Sequence, residues 1–396
     1  MSFYADDMVV LAESEASLQS LLKVIYEWCQ DWRLKVNESK TKVIHFRNVR
    51  KSPTDFVFKY GDSDIEKVTQ YKYLGVILDE HLKYDRCVQS LADSSGRALG
   101  GIISKFKCLR NVGYDTFTKL YTSGVQPVSE YGAGIWGYHK GKAIDIVQNR
   151  AMRYFLGVHK FTPNAAITGD MGWIQPMFSR YLCMIRFWNR LIEMHDDRLT
   201  KKVFLYDYEK CCKNWNSEIK DIFVKLDMEN IFNERIVCDL NHVKTKIHEI
   251  MERNWRQEVN KKAKLRTFKT FKTELQAEPY VKFLTARQHR SLLAQLRCGV
   301  LPLRIETGRF ARLDVTDRLC EVCNLAQIED EQHFVMVCPL YENVRTNLYN
   351  HVQNQFPEFR IMNQQSKFEF LLKQRWRDLS KYIVQAWNIR KEKLYI

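Results

Sequence analysis

Long apolar runs and proline are scarce in this chain. No stretch approaches the roughly 18 apolar residues of a membrane-spanning helix, so a helical membrane protein is not expected. Only eight prolines occur in 396 residues, which leaves long segments free to run as uninterrupted helices. The first residues hold acids where a secretory leader needs a basic start and an apolar core. No internal repeat and no low-complexity tract is present, so neither a solenoid nor a disordered polar chain is in prospect. The eleven cysteines are an odd number and, one cluster apart, lack the spacing of a disulfide framework. Free, buried thiols in a reducing nuclear or cytoplasmic compartment, not a secreted protein, are the expectation.

Acids are also in deficit. Lysine and arginine number 62 against 47 aspartates and glutamates, a formal charge of +15. Such an excess favours polyanions, because phosphate contacts by Lys and Arg are the main source of nucleic-acid affinity. A basic protein with well-solvated faces is the plainer alternative, and composition alone leaves both open. Hydrophobic residues at 45% and aromatics at 13% describe a globular chain with length for two or three domains.

The clearest chemistry stands near the start, where Phe3-Tyr4-Ala5-Asp6-Asp7 runs into Met8-Val9-Val10-Leu11. Adjacent carboxylates between short apolar runs predict a β-hairpin with the acids at its tight turn. Phosphoryl transfer by two magnesium ions, about 3.5–4 Å apart, needs several hard oxygen ligands. Successive strand side chains point opposite ways, so one acid of a pair serves both ions better; Asp6 takes that role and Asp7 a secondary one. By itself an acidic pair is an ordinary turn, and its companions carry the argument.

Leu18, Leu21, Leu22, Ile25, Cys29 and Trp32 recur at helical spacing, with Ser14 as N-cap and Glu15 in the first turn. Short strands are expected at Val43-Ile44-His45-Phe46, at Phe56, Phe58 and Tyr60 before a turn at Gly61–Asp64, and through Tyr73-Leu74-Gly75-Val76-Ile77-Leu78. From about 85 to 275 the pattern is helical, broken at Gly132-Ala133-Gly134 and Phe161-Thr162-Pro163-Asn164. Residues 364–393 predict a final amphipathic helix or pair.

The Asp6-Asp7 hairpin, then Trp32-Arg33-Leu34-Lys35-Val36-Asn37-Glu38-Ser39-Lys40, then Tyr71-Lys72-Tyr73-Leu74-Gly75-Val76 resemble, in order and distance, the later palm motifs of reverse transcriptases from non-LTR (LINE-type) retrotransposons. The resemblance implies that Asp6 and Asp7 are the catalytic acidic pair and that Asn37 with Lys40 is the motif that follows. Lys40 is then a candidate general acid near the leaving pyrophosphate, which an ammonium can serve chemically. Tyr73, Leu74 and Gly75 correspond to the segment that grips the primer end; as physics they equally describe a buried strand whose Gly allows close approach. The likeness continues through Glu130-Tyr131-Gly132, Trp136-Gly137, Gln148-Asn149-Arg150, Gly157, Gly172 and Pro176, which are read as core aromatics and helix ends.

Cys320 and Cys323 are separated by two residues, and His333 and Cys338 by four. Three thiolates and one imidazole suit a closed tetrahedral zinc site, structural because no position remains open. Its setting resembles the cysteine–histidine segment that LINE-type polyproteins carry after the thumb. Glu329, Asp330 and Glu331 would repel phosphate there. Nucleic-acid contact is therefore assigned to Lys261, Lys262, Lys264, Arg266, Lys269 and Lys272, interleaved by Phe268 and Phe271, and to arginines upstream of the cluster, Arg297 and Arg309 foremost with Arg304 and Arg312. The remaining cysteines, Cys211 and Cys212 included, are expected to be buried thiols.

The expected fold is α+β. A truncated reverse-transcriptase palm of short antiparallel strands plus a helix occupies 1–84, a mostly α-helical thumb and basic connector 85–275, a zinc-knuckle-like unit 276–345 and a C-terminal helical tail 346–396. Family members place fingers, half of the palm and another catalytic Asp ahead of the acidic pair, and none of these is found in this sequence. The expectation is a C-terminal portion of an RNA-directed DNA polymerase, unable to polymerise alone unless an upstream portion is supplied in trans. Its partners are RNA and DNA and no membrane; its ions are structural Zn2+ and, where the polymerase site is completed, Mg2+. A non-catalytic zinc-containing nucleic-acid-binding module and a vestigial truncated product stay open as alternatives.

Overall fold

The computed structural model describes residues 2–109, 111–210 and 212–394, with the backbone alone for Ser2 and Phe3. They group into two compact units, up to Ser90 and from Leu91 onward.

In the first unit, β1 (Ser2–Tyr4) and β2 (Asp7–Val9) pair antiparallel, Tyr4 opposite Asp7. Helix α1 (Glu15–Asp31) starts as expected, the Ser14 hydroxyl accepting the Ser17 N–H at 3.2 Å. It buries Leu22, Ile25 and Cys29 but leaves Leu21 and Trp32 exposed on its far side. Then come β3 (Lys42–Val43), β4 (Lys59–Tyr60), β5 (Ser63–Asp64), β6 (Glu66–Lys67), β7 (Gln70–Tyr73) and β8 (Val76–Asp79). These form separate two-stranded sheets, β1–β2, β3–β6, β4–β5 and β7–β8.

Four strand expectations are corrected. The run from Val43 pairs only at Lys42 and Val43, and of the alternating aromatics only Tyr60 lies in a strand. The run Tyr73–Leu78 is no single strand: Leu74 and Gly75 take φ of 45° and 85° and fold β7 back onto β8. The antiparallel rule fails at β3–β6, which is parallel; the loop after β3 and the β4–β5 hairpin each reverse the chain, and two reversals restore its direction. Leu22, Ile25 and Cys29 meet Val43, Phe58, Tyr60 and Ile65 in one core, with Met8, Val10 and Val36 packed partly buried around it. Each fully buried Leu, Ile or Phe contributes about 1.5–3 kcal/mol, so the hairpin is held through Met8 and Val10.

Helix α2 (Asp85–Cys108) spans the division, and beyond it the chain is helical. Pro176–Glu193 runs through the interior, its Trp188 fully buried against Phe204, Phe223 and Phe232. A second aromatic group stacks Tyr121 on Trp173 with centroids 4.5 Å apart, beside Phe117 and Phe155. Trp136 is buried as expected, but Tyr131 is exposed. Pro163 stands just before Asn164–Met171, and the C-terminal segment is a pair, Gln364–Lys373 and Trp376–Leu394. Helix Glu342–Gln355 runs across the position where a knuckle unit was expected to end, and it packs on Trp376–Leu394 as does Arg287–Arg297. Cys29, Cys87, Cys238 and Cys298 are buried thiols, whereas Cys108 and Cys212 are exposed; Cys211 lies outside the described residues. Among the described residues no helix is long and apolar enough to cross a membrane.

Gly172 closes Asn164–Met171 at φ 63°. A Cβ there would lie 2.2 Å from the Ala277 backbone nitrogen. Gly172→Ala is expected to cost more than the roughly 1–2 kcal/mol of left-handed backbone alone, because main chain has to shift. Urea unfolding of the full chain measures it, and an unchanged midpoint would refute the assignment.

Candidate metal centre and acidic hairpin

The hairpin turn consists of Ala5 and Asp6, with Ala5 at φ 52°. A positive φ at the first central position matches the right-handed twist of the flanking strands, at a steric cost for a residue with a Cβ. Asp6 and Asp7 are both exposed, one on the turn and one opening β2. The turn therefore lifts two carboxylates clear of the core that Met8 and Val10 anchor. Among the described residues no third carboxylate or histidine gathers with them.

Asn37 explains the turn that follows. Its Oδ1 accepts from the Lys40 N–H at 3.1 Å and the Ser39 hydroxyl at 2.7 Å, and its carbonyl accepts from the Thr41 hydroxyl at 2.9 Å. This Asx-type turn holds Lys40 exposed, and Tyr71 of β7 donates to the Lys40 carbonyl at 3.0 Å. Tyr73, Leu74 and Gly75 form the half-buried β7–β8 turn. His45, which the sequence leaves unassigned, accepts the Thr54 N–H at 3.1 Å.

In the second unit, Cys320, Cys323, His333 and Cys338 place their ligand atoms within 4.8 Å of one another. Local structure brings them there. Leu319 bridges Ile328, and the Cys320 N–H donates to the Gln327 carbonyl at 2.8 Å, so a small loop turns Cys320 and Cys323 to one side. His333–Val337 forms a single π-helical turn, closed by the Cys338 N–H donating to the His333 carbonyl at 2.9 Å. In an α-helix an offset of five residues leaves two side chains about 140° apart; the wider turn brings them round. Cys323 Sγ stands 3.5 Å from His333 Nε2, the edge expected of a tetrahedron with Zn–S about 2.3 Å and Zn–N about 2.0–2.1 Å. His333 Nδ1 is buried without a hydrogen-bond partner. The Cys320 thiol is pushed up to about 12 by its hydrogen bond to Cys338 and by burial, and the same bond holds Cys338 below the ordinary thiol range.

Two of the three acids expected to repel phosphate do not face solvent. Glu329 and Glu331 are each 1% exposed. Glu329 pairs with Arg390, and Glu331 takes Arg266 at 2.7 and 2.9 Å and the Thr267 hydroxyl at 2.9 Å. Burial raises the Glu331 carboxyl and Arg266 opposes it. Asp330 is spent capping, its carboxylate accepting the His333 N–H at 2.8 Å. The expected repulsion of phosphate is therefore corrected for Glu329 and Glu331, whose charges are met by arginines.

The expected basic face is corrected too. Lys264 pairs with Glu306, Lys269 donates to the Asn260 carbonyl at 2.7 Å, and Lys272 is buried on Glu278 at 2.6 Å. Phe268 and Phe271 are core residues, not stacking surfaces. Arg297 is 1% exposed, held by Asp170 at 3.3 Å and Glu278 at 2.5 Å over the rings of Phe271 and Tyr280. Of the ten cations assigned to nucleic acid, Lys261, Lys262, Arg309 and Arg312 remain exposed, Lys261 beside Glu258 and Arg309 beside Glu306. A run of like charge does not show which members have internal partners, because those partners lie outside the run, six positions away for Lys272 and 65 for Arg266.

Residues 1–78 match the family model described as Reverse transcriptase (RNA-dependent DNA polymerase). The chain is 28% identical over 170 residues to the probable RNA-directed DNA polymerase from transposon BS of Drosophila melanogaster, covering 39% of this chain and 18% of that protein. It is 28% identical over 179 residues to the RNA-directed DNA polymerase from mobile element jockey of Drosophila funebris, covering 42% and 19%. This chain is related to retrotransposon reverse transcriptases. A Pol polyprotein from a type-1 retrotransposable element of Nasonia vitripennis is 23% identical over 192 residues, covering 43% of this chain and 55% of that protein. The matches span about a fifth of the length of the two Drosophila relatives.

The stretch matched to the reverse transcriptase model contains Asp6, Asp7, Asn37, Lys40 and Tyr73–Gly75, and the cysteine–histidine cluster lies beyond it. Sequence reasoning missed Arg390 and Arg345, which support the cluster from later helices. The only signal for them was an arginine on the apolar side of an amphipathic pattern.

Proposed function

We propose that this chain carries the metal-binding hairpin and the following thumb and knuckle portion of a LINE-type RNA-directed DNA polymerase. The observation that carries this is the exposed Asp6–Asp7 pair at the tip of a hairpin, within the segment matched to the reverse transcriptase model. Asp6 and Asp7 offer hard oxygen donors that suit magnesium, Lys40 is the candidate acid, and the Tyr73-Leu74-Gly75 turn is the candidate primer contact. Two carboxylates fall short of the several oxygen ligands that a pair of magnesium ions requires, so no catalytic step is assigned to them alone. An upstream polymerase portion supplied in trans would complete the set. Nucleic acids as partners imply a nuclear or cytoplasmic location. With magnesium, an RNA template and an annealed DNA primer, the purified chain is expected to extend no more than its Asp6→Ala variant. Robust extension lost on that substitution would overturn the inactivity.

Zinc is the proposed ion for Cys320, Cys323, His333 and Cys338. The three sulfurs and one imidazole nitrogen fit it in donor type and spacing, and a closed tetrahedral ion supplies folding energy, not catalysis.

A second reading, a non-catalytic nucleic-acid-binding module, is favoured by an open cleft of about 490 Å3 where Lys107, Asn111, Arg287, Gln288 and His289 stand beside the apolar Phe106, Leu109 and Ala286. Arg287 lies 4.6 Å over the Tyr154 ring. The joint variant Lys107→Ala/Arg287→Ala is expected to weaken RNA binding and to flatten its salt dependence by roughly two contacts. Unaltered affinity and slope would end this reading.

A further inference from the structure

Behind the cysteine–histidine cluster lies a second layer of charge. The Cys320 sulfur stands 3.5 Å from Glu329 Oε1. Glu329 accepts Arg390 on both oxygens, Nη2 to Oε2 at 2.8 Å, and also the Arg304 backbone N–H at 2.8 Å. On the other side Arg345 donates to the carbonyls of Cys338 at 2.9 Å and Val337 at 3.4 Å, and its Nη1 has no partner. Both arginines are buried, Arg390 at 3% and Arg345 at 7% exposure, and they come from Trp376–Leu394 and Glu342–Gln355. Tyr382, on the same helix as Arg390, donates to the carbonyl of Phe334, next to His333, at 2.9 Å.

We infer that Arg390, acting through Glu329, is a positioning residue of the metal centre, and that with Arg345 it balances the charge the centre carries when loaded. This rests on the zinc assignment above. A divalent ion held by three thiolates and a neutral imidazole keeps one surplus negative charge, and Glu329 adds a second beside Cys320. Two buried guanidinium groups cancel both. Without Arg390 the Glu329 carboxylate faces a thiolate in a buried site, where an uncompensated charge is costly. Outer-shell partners of this kind tune metal affinity by about 10–100-fold. The same contacts tie the centre to the last helix, which explains why the knuckle segment does not stand apart.

The test uses the full chain, with zinc affinity read by competition against a chromophoric chelator and ligand geometry by cobalt(II) absorption. Arg390→Met is expected to bind zinc about 10–100-fold more weakly. The double variant Glu329→Gln/Arg390→Met should regain most of that loss, since no carboxylate is left uncompensated. Arg390→Lys, which keeps the charge, should lose less than tenfold with intact thiolate-to-cobalt bands. Wild-type affinity in Arg390→Met would overturn the inference, as would a double variant no better than the single one. Where Arg390→Met does not fold, Arg390→Lys decides, and a hundredfold loss there overturns the charge account. A wild-type chain without thiolate-to-cobalt bands would instead sink the zinc assignment itself.

Discussion

Arg297→Met is expected to destabilise the chain by about 3–5 kcal/mol, the usual result of removing one partner from a buried ion pair. Arg297 reaches Asp170 at 3.3 Å, Glu278 at 2.5 Å and the Leu372 carbonyl at 3.0 Å, and so joins three separate stretches of chain. Asp170 is completely buried and also accepts the Tyr280 hydroxyl at 2.5 Å. Burial raises its carboxyl, and Arg297 opposes that rise. For Glu278 burial also pushes upward, but Arg297 and Lys272 outweigh it and hold the group below its ordinary range. Without the guanidinium, two acids share an interior with Lys272 alone. A loss of this size is a large fraction of the roughly 5–15 kcal/mol that natural domains possess. Arg297→Lys should fail to rescue fully, because an ammonium lacks the planar fork that spans two acceptors. Arg297→Met/Asp170→Asn should recover part of the loss. Urea unfolding of the three full-length variants measures this, and a loss under 1 kcal/mol for Arg297→Met would refute it.

The second large effect is expected from metal removal or Cys338→Ser. Zinc binding in small knuckles is worth about 10–16 kcal/mol at neutral pH. In this chain part of the fold around the cluster has its own support, through Glu329–Arg390 and Tyr382–Phe334. Chelation should therefore open residues 318–341 to hydrogen exchange and proteolysis while the helices from Tyr114 to Glu193 stay protected. The pH dependence has a definite sign. Cys320 holds its proton up to about 12 through its hydrogen bond to Cys338 and its burial, so loading must displace protons and apparent affinity should rise with pH. Identical exchange in the chelated and loaded chains would show that no ion stabilises this segment.

Much of the cysteine–histidine cluster was legible because its spacing is local. Two intervening residues between cysteines and four between histidine and cysteine are satisfied by one loop and one helical turn. The Asp6-Asp7 turn and the Ser14 cap were legible for the same reason. The misjudged features were a turn hidden among strand-forming side chains and charges whose partners lie outside the run. Tyr73–Leu78 carries strand-forming side chains, yet Leu74 and Gly75 turn there because β7 finds its partner in β8. The cations of 261–272 look like one basic face, yet Lys264, Arg266 and Lys272 each meet an acid that only the folded chain supplies.

The residue order by itself determined the hairpin acids, the Asn37 turn and the two local pairs of the cysteine–histidine cluster, since each needs only neighbours within a few positions. Tertiary structure alone decided which charges reach solvent. Arg297 meets Asp170 across 127 positions, Arg266 meets Glu331 across 65 and Arg390 meets Glu329 across 61. A charge buried with an opposite charge is neutralised by a group that no local pattern reveals, and an exposed one is solvated by water whatever its neighbours are.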